Sequence, residues 1–396
     1  MLGHLRRYGP TTRGALAREL RLSNSAVHNV AAELLAEGVL VDRAPERDGS
    51  TRLGRPSTEL AIAASTRQVV GVQVGVGLVR VAICDLLGSV VARTEQPFEV
   101  TRDPARALEA IVRSTKRLIR GRRATELLGI GVGAPGPVDA GGRTNLMALN
   151  LGWSNVPFAD VLESVFGLPT IVDHNVRAMA LAEARSGAWK GAESLAFIYV
   201  GSGVGAGLVM DGQAYRGGTL GVTEFGHLPV VPDGPLCVCG NRGCLETVTS
   251  EPALSQTVLQ AAQRRDGTRL RAAVEGGETP TRALLSAAAA GDRPARAIAE
   301  QLVDHLVAGL VSLVNLLNPE LIIVGGYLAD AGDQLLLPLR AGLQTHAFPM
   351  LRSSVRIERT SFGADSGVVG AATVALDRLF YEPQPNRARR LAARQA

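Results

Sequence analysis

The sequence predicts an α/β protein with a small winged helix-turn-helix in front of it. Three observations predict this. Strand-like apolar runs alternate with helical ones over most of the chain, glycine loops sit at strand ends, and the first sixty residues follow a different pattern. The chain has 396 residues, 46% of them hydrophobic and 20% charged, which is material for two or three packed domains rather than a disordered chain. The longest uncharged stretch, 194–210, is interrupted by Gly201, Gly203, Gly205 and Gly207, and the chain does not open on a charged-then-apolar leader. The expectation is therefore a cytoplasmic protein without a membrane segment.

The N-terminal elements come first. A short helix is expected over Leu2 to Tyr8. Thr12 is placed to cap a second helix running through Ala15, Leu16 and Leu20. After a break at Leu22-Ser23, Ser23 or Asn24 caps a third, which puts Val27, Val30, Leu34 and Leu35 on one face and ends at Gly38. Residues 39 to 62 then alternate weakly around a polar tip at Asp48-Gly49-Ser50. Helix, helix-turn-helix and hairpin make the winged layout, with Leu16, Leu20, Val27, Val30 and Leu34 as its small core.

A polar connection near Ala64 to Gln68 leads into the larger region. Strands are expected at 69–76, 79–86, 127–132, 170–172, 196–200 and 321–324, and helices at 104–120, 176–188 and 297–317. Glycine-bearing turns near Gly75 and Gly201 each follow a buried strand, which suggests a duplicated unit flanking a cleft.

The formal charge is +5. Nearly all basic residues are arginine, Lys116 and Lys190 being the lysines, so arginine content alone is weak evidence for nucleic acid. Of the four cysteines, Cys84 sits in an apolar run and is expected in the core. The other three form Cys237-Val238-Cys239-Gly240-Asn241-Arg242-Gly243-Cys244. Two thiolates one residue apart, then a third after a glycine-bracketed knuckle, can wrap one ion, and His227 stands ten residues upstream as a fourth donor. Three sulfurs and one imidazole leave no open position, so one structural zinc per chain is the expected cofactor.

Together with Glu224-Phe225-Gly226-His227, the run Cys237 to Glu246, the glycine loop Gly201 to Gly207 and Asn315-Leu316-Leu317-Asn318-Pro319-Glu320 leading to Val324-Gly325-Gly326, this pattern resembles the ROK family of repressors and sugar kinases. The resemblance implies an actin-like (RNase H-like, sugar kinase) pair of α/β lobes closing on a sugar. It divides the chain into a winged helix-turn-helix at 1–62, a linker at 63–68, and a first lobe at 69–182 with a returning helix at 366–382. A second lobe at 183–365 holds the metal loop and dimerisation helices, and a basic tail follows at 383–396. Carried over position by position, Glu224, His227 and Glu246 contact sugar hydroxyls, with Asn150, His174 and Asn175 beside them and Gly142-Arg143 at a looser family position. His227 would face zinc with one ring nitrogen and sugar with the other.

Two departures separate the chain from the family's kinases. The phosphate loop Asp-x-Gly-Gly-Thr reads Gln73-Val74-Gly75-Val76-Gly77, and the catalytic aspartate position is Asn175, an amide that cannot take a proton from a hydroxyl. The reading is sugar binding without sugar phosphorylation, in a sugar-responsive transcriptional regulator of carbohydrate genes. The alternative is an ATP-dependent sugar kinase with His174 as substitute base. In the regulator, Asn24, Ser25, His28 and Asn29 would face a major groove and Arg55, within Gly54-Arg55-Pro56, a minor groove. Residues 1–60 hold nine arginines against seven acids, a weak net charge that favours a homodimer or homotetramer on a double-stranded operator.

Overall fold

A computed structural model describes residues 1–44, 58–123, 126–264 and 268–382. The expected wing tip at Asp48-Gly49-Ser50, Arg55 and the 383–396 tail lie outside the described residues.

The head has helices Leu2–Tyr8, Arg13–Glu19 and Asn24–Ala36. Thr12 caps the second, its Oγ1 accepting the Ala15 N–H at 3.2 Å. Ser23, not Asn24, caps the third by accepting the Ala26 N–H at 3.1 Å. Such caps stabilise by about 1 kcal/mol each. Strands Thr11–Thr12, Leu40–Arg43 and Glu59–Ile62 pair antiparallel with the last in the middle. Leu16 and Val27 are fully buried, but Val30 is exposed, and Ala31, one turn beyond Val27, takes the inward position.

Head and body share one core. Leu5, Leu16, Val27, Leu40 and Leu60 pack in the same cluster as Val69, Cys84, Leu86, Leu376 and Phe380. The connection between them is one tight turn, Ala64–Thr66, held by the Leu86 N–H donating to the Ala64 carbonyl at 3.0 Å.

The body holds two five-stranded sheets built alike. In the first, Thr170–His174, Leu127–Ala134 and Gln68–Val74 run parallel, followed by antiparallel Leu78–Asp85 and Val90–Pro97. In the second, Arg356–Arg359, Leu321–Gly326 and Leu195–Val200 run parallel, followed by antiparallel Val204–Met210 and Gln213–Ala214. The order is the same in both, so the two turns expected to mark a duplicated unit do occupy equivalent places.

Two helices lie between the sheets. Asn175–Ser186 packs on the second sheet and Ser366–Leu376, buried along its whole length, on the first. They meet where Gly370 approaches the Ala178 and Met179 backbone so closely that a Cβ would come within 2.8 Å of each. The chain therefore leaves the first sheet at His174 and returns at Ser366.

The segment read as a glycine loop, Gly201 to Gly207, is a tight turn followed by strand from Val204 onward. None of its glycines has positive φ, so backbone conformation is not what requires them. Contact is the reason instead: at Gly207 a Cβ would lie 2.2 Å from the Val176 carbonyl oxygen, where the interlobe helix rests on the strand.

The 25-residue helix Arg293–Leu317 is long and apolar enough to cross a membrane by composition. Its Leu302, Leu306, Leu310, Leu313 and Val314 are buried in the core under the second sheet, which accounts for that stripe.

Candidate metal centre and ligand cleft

The cysteine segment folds as a knuckle fastened to the second sheet's lobe. The Cys237 N–H donates to the Asn241 carbonyl at 2.8 Å, the Gly240 N–H to the Cys237 carbonyl at 3.0 Å, and the Val230 N–H to the Gly243 carbonyl at 2.8 Å. Gly243 has φ +66°, and a Cβ on it would stand 1.7 Å from the Val231 carbonyl oxygen, so no other residue fits.

This turn brings His227, Cys237, Cys239 and Cys244 together, with their ligand atoms all within 4.8 Å of one another. The Cys239 and Cys244 sulfurs are 3.7 Å apart, and the Cys237 sulfur is 3.4 Å from His227 Nδ1. Sulfur-metal bonds of 2.3 Å in a tetrahedron place sulfurs about 3.8 Å apart, so the donors fit one four-coordinate ion. Burial pushes the Cys244 thiol up to about 12 and raises Cys237, whereas the Asn241 backbone N–H lowers Cys239. Two of the three sulfurs would be thiolates at neutral pH only beside a cation. These four residues can hold a metal ion.

His227 is oriented by both sides of the site. With Nδ1 toward the sulfurs, its Nε2 lies 3.8 Å from Glu224 Oε2. Burial raises the Glu224 carboxyl above its ordinary range; His227 opposes this shift and the neighbouring Glu246 adds to it. Glu246 sits on the short helix Leu245–Thr249 that leaves the knuckle directly after Cys244. Its Oε2 accepts the Val204 N–H at 2.9 Å, and its Oε1 faces Asn150 Nδ2 at 3.4 Å. Asn150 belongs to the turn Leu149–Leu151 between Asn145–Ala148 and Trp153–Val156, an insertion packed on the first lobe's core. Asn150, Glu224, His227 and Glu246 are thus gathered where the two lobes face each other.

His174 and Asn175 sit at the end of the first sheet's outermost parallel strand and the start of the interlobe helix. The Asn175 Oδ1 accepts the Val176 N–H at 2.8 Å. Among the described residues no hydrogen bond or ion pair joins either to Asn150, Glu224 or Glu246. His174 is buried; desolvation, with the Arg177 charge adding, lowers its pKa to about 4. An imidazole so weakly basic is a poor proton acceptor near neutrality.

That shift predicts a pH dependence. The unfolded chain binds a proton on this histidine near 6.5 and the folded one near 4, so stability is full above 6.5 and falls as pH drops toward 4, by about 3 kcal/mol. Denaturant titrations between pH 7 and 4 should show this slope, and His174→Asn should flatten it.

The roles of several residues here were not legible in the sequence. Asp173 is buried between Arg177, four residues on, and Arg216 Nη2 at 3.2 Å from the second lobe. The Asp-Arg spacing was a readable signal; the partner from residue 216 was not. Gln73, in the degenerate phosphate loop, is buried against Gly367, where a Cβ would be 2.1 Å from its Cδ, so the amide packs on the start of helix Ser366–Leu376. Arg143, placed at a looser family position, bonds Asp160 at 2.5 Å and Glu163 at 2.7 Å and holds helix Phe158–Phe166 to the loop. On the head, Asn24, Ser25, His28 and Asn29 are all exposed on the third helix.

The ROK family profile matches residues 69–378, most of the chain. The chain belongs to the ROK family. Its ROK relatives are of two kinds. A putative xylose repressor of Caldicellulosiruptor sp. (strain Rt8B.4) is 28% identical over 94% of this chain and 93% of its own length. A glucokinase of Halalkalibacterium halodurans is 32% identical over 94% of its own length but 77% of this chain. Among solved structures, a ROK family transcriptional regulator described as a homologue of the Escherichia coli MLC protein aligns with TM-score 0.77 and 26% identity, covering 95% of this chain and 94% of its own. The repressor and regulator match nearly the whole chain, head included.

Proposed function

We propose that this protein is a sugar-responsive DNA-binding transcriptional regulator whose ROK body binds a monosaccharide or sugar phosphate as effector and does not phosphorylate it. The observation that carries this is the head: three helices, the second and third of them capped, with an exposed polar face on the third, sharing a core with a two-lobed body. Asn24 and Asn29, exposed on the third helix, would pair with adenine edges, and Ser25 and His28 would reach bases or phosphates. A homodimer would read two half-sites, which offsets the weak net charge of one head. DNA-bound, it would work in the cytoplasm as a repressor of carbohydrate genes.

In the cleft, Glu224, His227 and Glu246 would bind sugar hydroxyls, with Asn150, His174 and Asn175 lining the side of the first lobe. Charged acceptors with fixed directions suit a polyol. A zinc ion on His227, Cys237, Cys239 and Cys244 would act structurally, holding the loop that presents them. The kinase reading is disfavoured by Asn175, by the plugged Gln73 position and by the low basicity of His174.

The reading is tested by selecting genomic fragments on the pure protein and adding monosaccharides and their phosphates. Release of a specific fragment by one of them is expected, and Glu246→Gln should raise the concentration needed at least about tenfold. Failure to retain any fragment at low salt would refute the regulator.

A further inference from the structure

A cavity of about 440 Å³ lies between the first helix of the head, the interlobe helix and the second lobe. Arg6, Arg7 and Arg185 line it, together with Asp377 from the helix end that returns to the first lobe. Arg6 is nine-tenths buried, its guanidinium 4.3 Å above the Tyr381 ring and paired with Asp377. Arg185 Nε donates to the other Asp377 oxygen at 3.1 Å. Arg7 Nη2 donates to the Gly191 carbonyl at 2.7 Å, with exposed Glu193 at 3.8 Å.

One carboxylate therefore stands between two guanidinium groups, leaving one positive charge without a buried partner. The other acids on the lining, Asp211 and Glu382, are exposed, and Glu382 faces Arg378 at 3.7 Å. The donors are unmatched too. Among the described residues Arg6 Nε, Arg6 Nη2 and Arg7 Nε are buried without a hydrogen-bond partner. Buried guanidinium N–H groups are costly to leave unpaired, and a forked pair of them matches two oxygens of a carboxylate or phosphate.

We infer that this cavity is a second ligand site, separate from the sugar cleft, for a small anion carrying a phosphate or carboxylate group. Its oxygens accept from the free edge of Arg6 and from Arg7, and its charge balances the Arg6-Asp377-Arg185 group. Because the lining comes from the head, the helix Asn175–Ser186 and the turn Asp211-Gly212-Gln213 of the second lobe, an anion there ties the head to the second lobe. Binding of the anion stands on the geometry alone; its consequence, a change in operator affinity, rests on the DNA reading proposed above.

The experiment titrates the intact protein with inorganic phosphate, against sodium chloride at matched ionic strength, by calorimetry and thermal melting. Saturable binding of one phosphate per chain is expected, with a melting temperature that rises in phosphate and not in chloride. Arg6→Lys keeps a cation beside Asp377 but removes the fork, and should weaken phosphate binding at least tenfold. Arg7→Ala, at a partly exposed side chain, should do the same should Arg6→Lys fail to fold. Arg106→Ala, exposed on helix Ala105–Ile119, should bind as the parent does. Equal effects of phosphate and chloride, or undiminished binding in both Arg6→Lys and Arg7→Ala, would overturn the inference. No DNA or sugar enters the measurement, so its failure leaves the regulator reading standing.

Discussion

Asp377→Ala is expected to lower stability by about 3–5 kcal/mol, the effect of removing one partner from a buried ion group. Asp377 is the one carboxylate shared by Arg6 of the head and Arg185 of the interlobe helix, and Arg6 is almost completely buried. Without it, two guanidinium groups face each other in the same packed region. Arg6 would keep its place over Tyr381, a contact worth about 2 kcal/mol when desolvated. Urea denaturation monitored by circular dichroism gives the free energy directly. A loss below about 1 kcal/mol would mean that head and body are joined by their common apolar core alone.

The second large effect concerns the knuckle. Cys244→Ser should remove a buried sulfur that completes the ligand set, on the residue directly before the helix carrying Glu246. Expected are loss of bound metal by elemental analysis and a fall in sugar affinity of about a hundredfold, as His227 and Glu246 lose their fixed positions. A chelator acting on the parent protein should reproduce the second effect. Unchanged sugar affinity in metal-free protein would show that the cleft is organised independently of the knuckle.

The sequence was most readable where one residue type has one physical use. The Cys-x-Cys-Gly-x-x-Gly-Cys pattern from Cys237 to Cys244 announced its cluster because thiols and glycines at that spacing have few other roles. Thr12 announced a cap in the same way, and Ser23 was one of two candidates, with Asn24, for the next. The buried strands at 68–74, 127–134 and 321–326 were visible as apolar runs, and the two equivalent turns hinted at the duplication that the sheet orders display. Legibility failed where tertiary contact decides. Val30 and Ala31 both suit an inward position, and only the packed head selects alanine. The glycines from Gly201 to Gly207 read as a loop, whereas at Gly205 and Gly207 the strand and the helix starting at Asn175 approach too closely for a Cβ. The bond from Asn150 to Glu246, and the pairs Arg6-Asp377 and Asp173-Arg216, join residues remote in sequence; nothing local to either partner marks them.

The site divides in the same way. Its donors were legible as types, while their arrangement came from the fold: His227 held between sulfur and carboxylate, Glu246 fixed by the Val204 amide, and His174 buried until it is barely basic. That last feature bears on the choice between regulator and kinase, because it concerns the group a kinase here would need as its base.

The most direct measurement incubates pure, metal-loaded protein with labelled ATP and a panel of monosaccharides, while calorimetry records binding of the same sugars. The account predicts saturable binding of at least one sugar or sugar phosphate and no phosphorylated product above the buffer control. Catalytic formation of a sugar phosphate, abolished by His174→Ala, would contradict it.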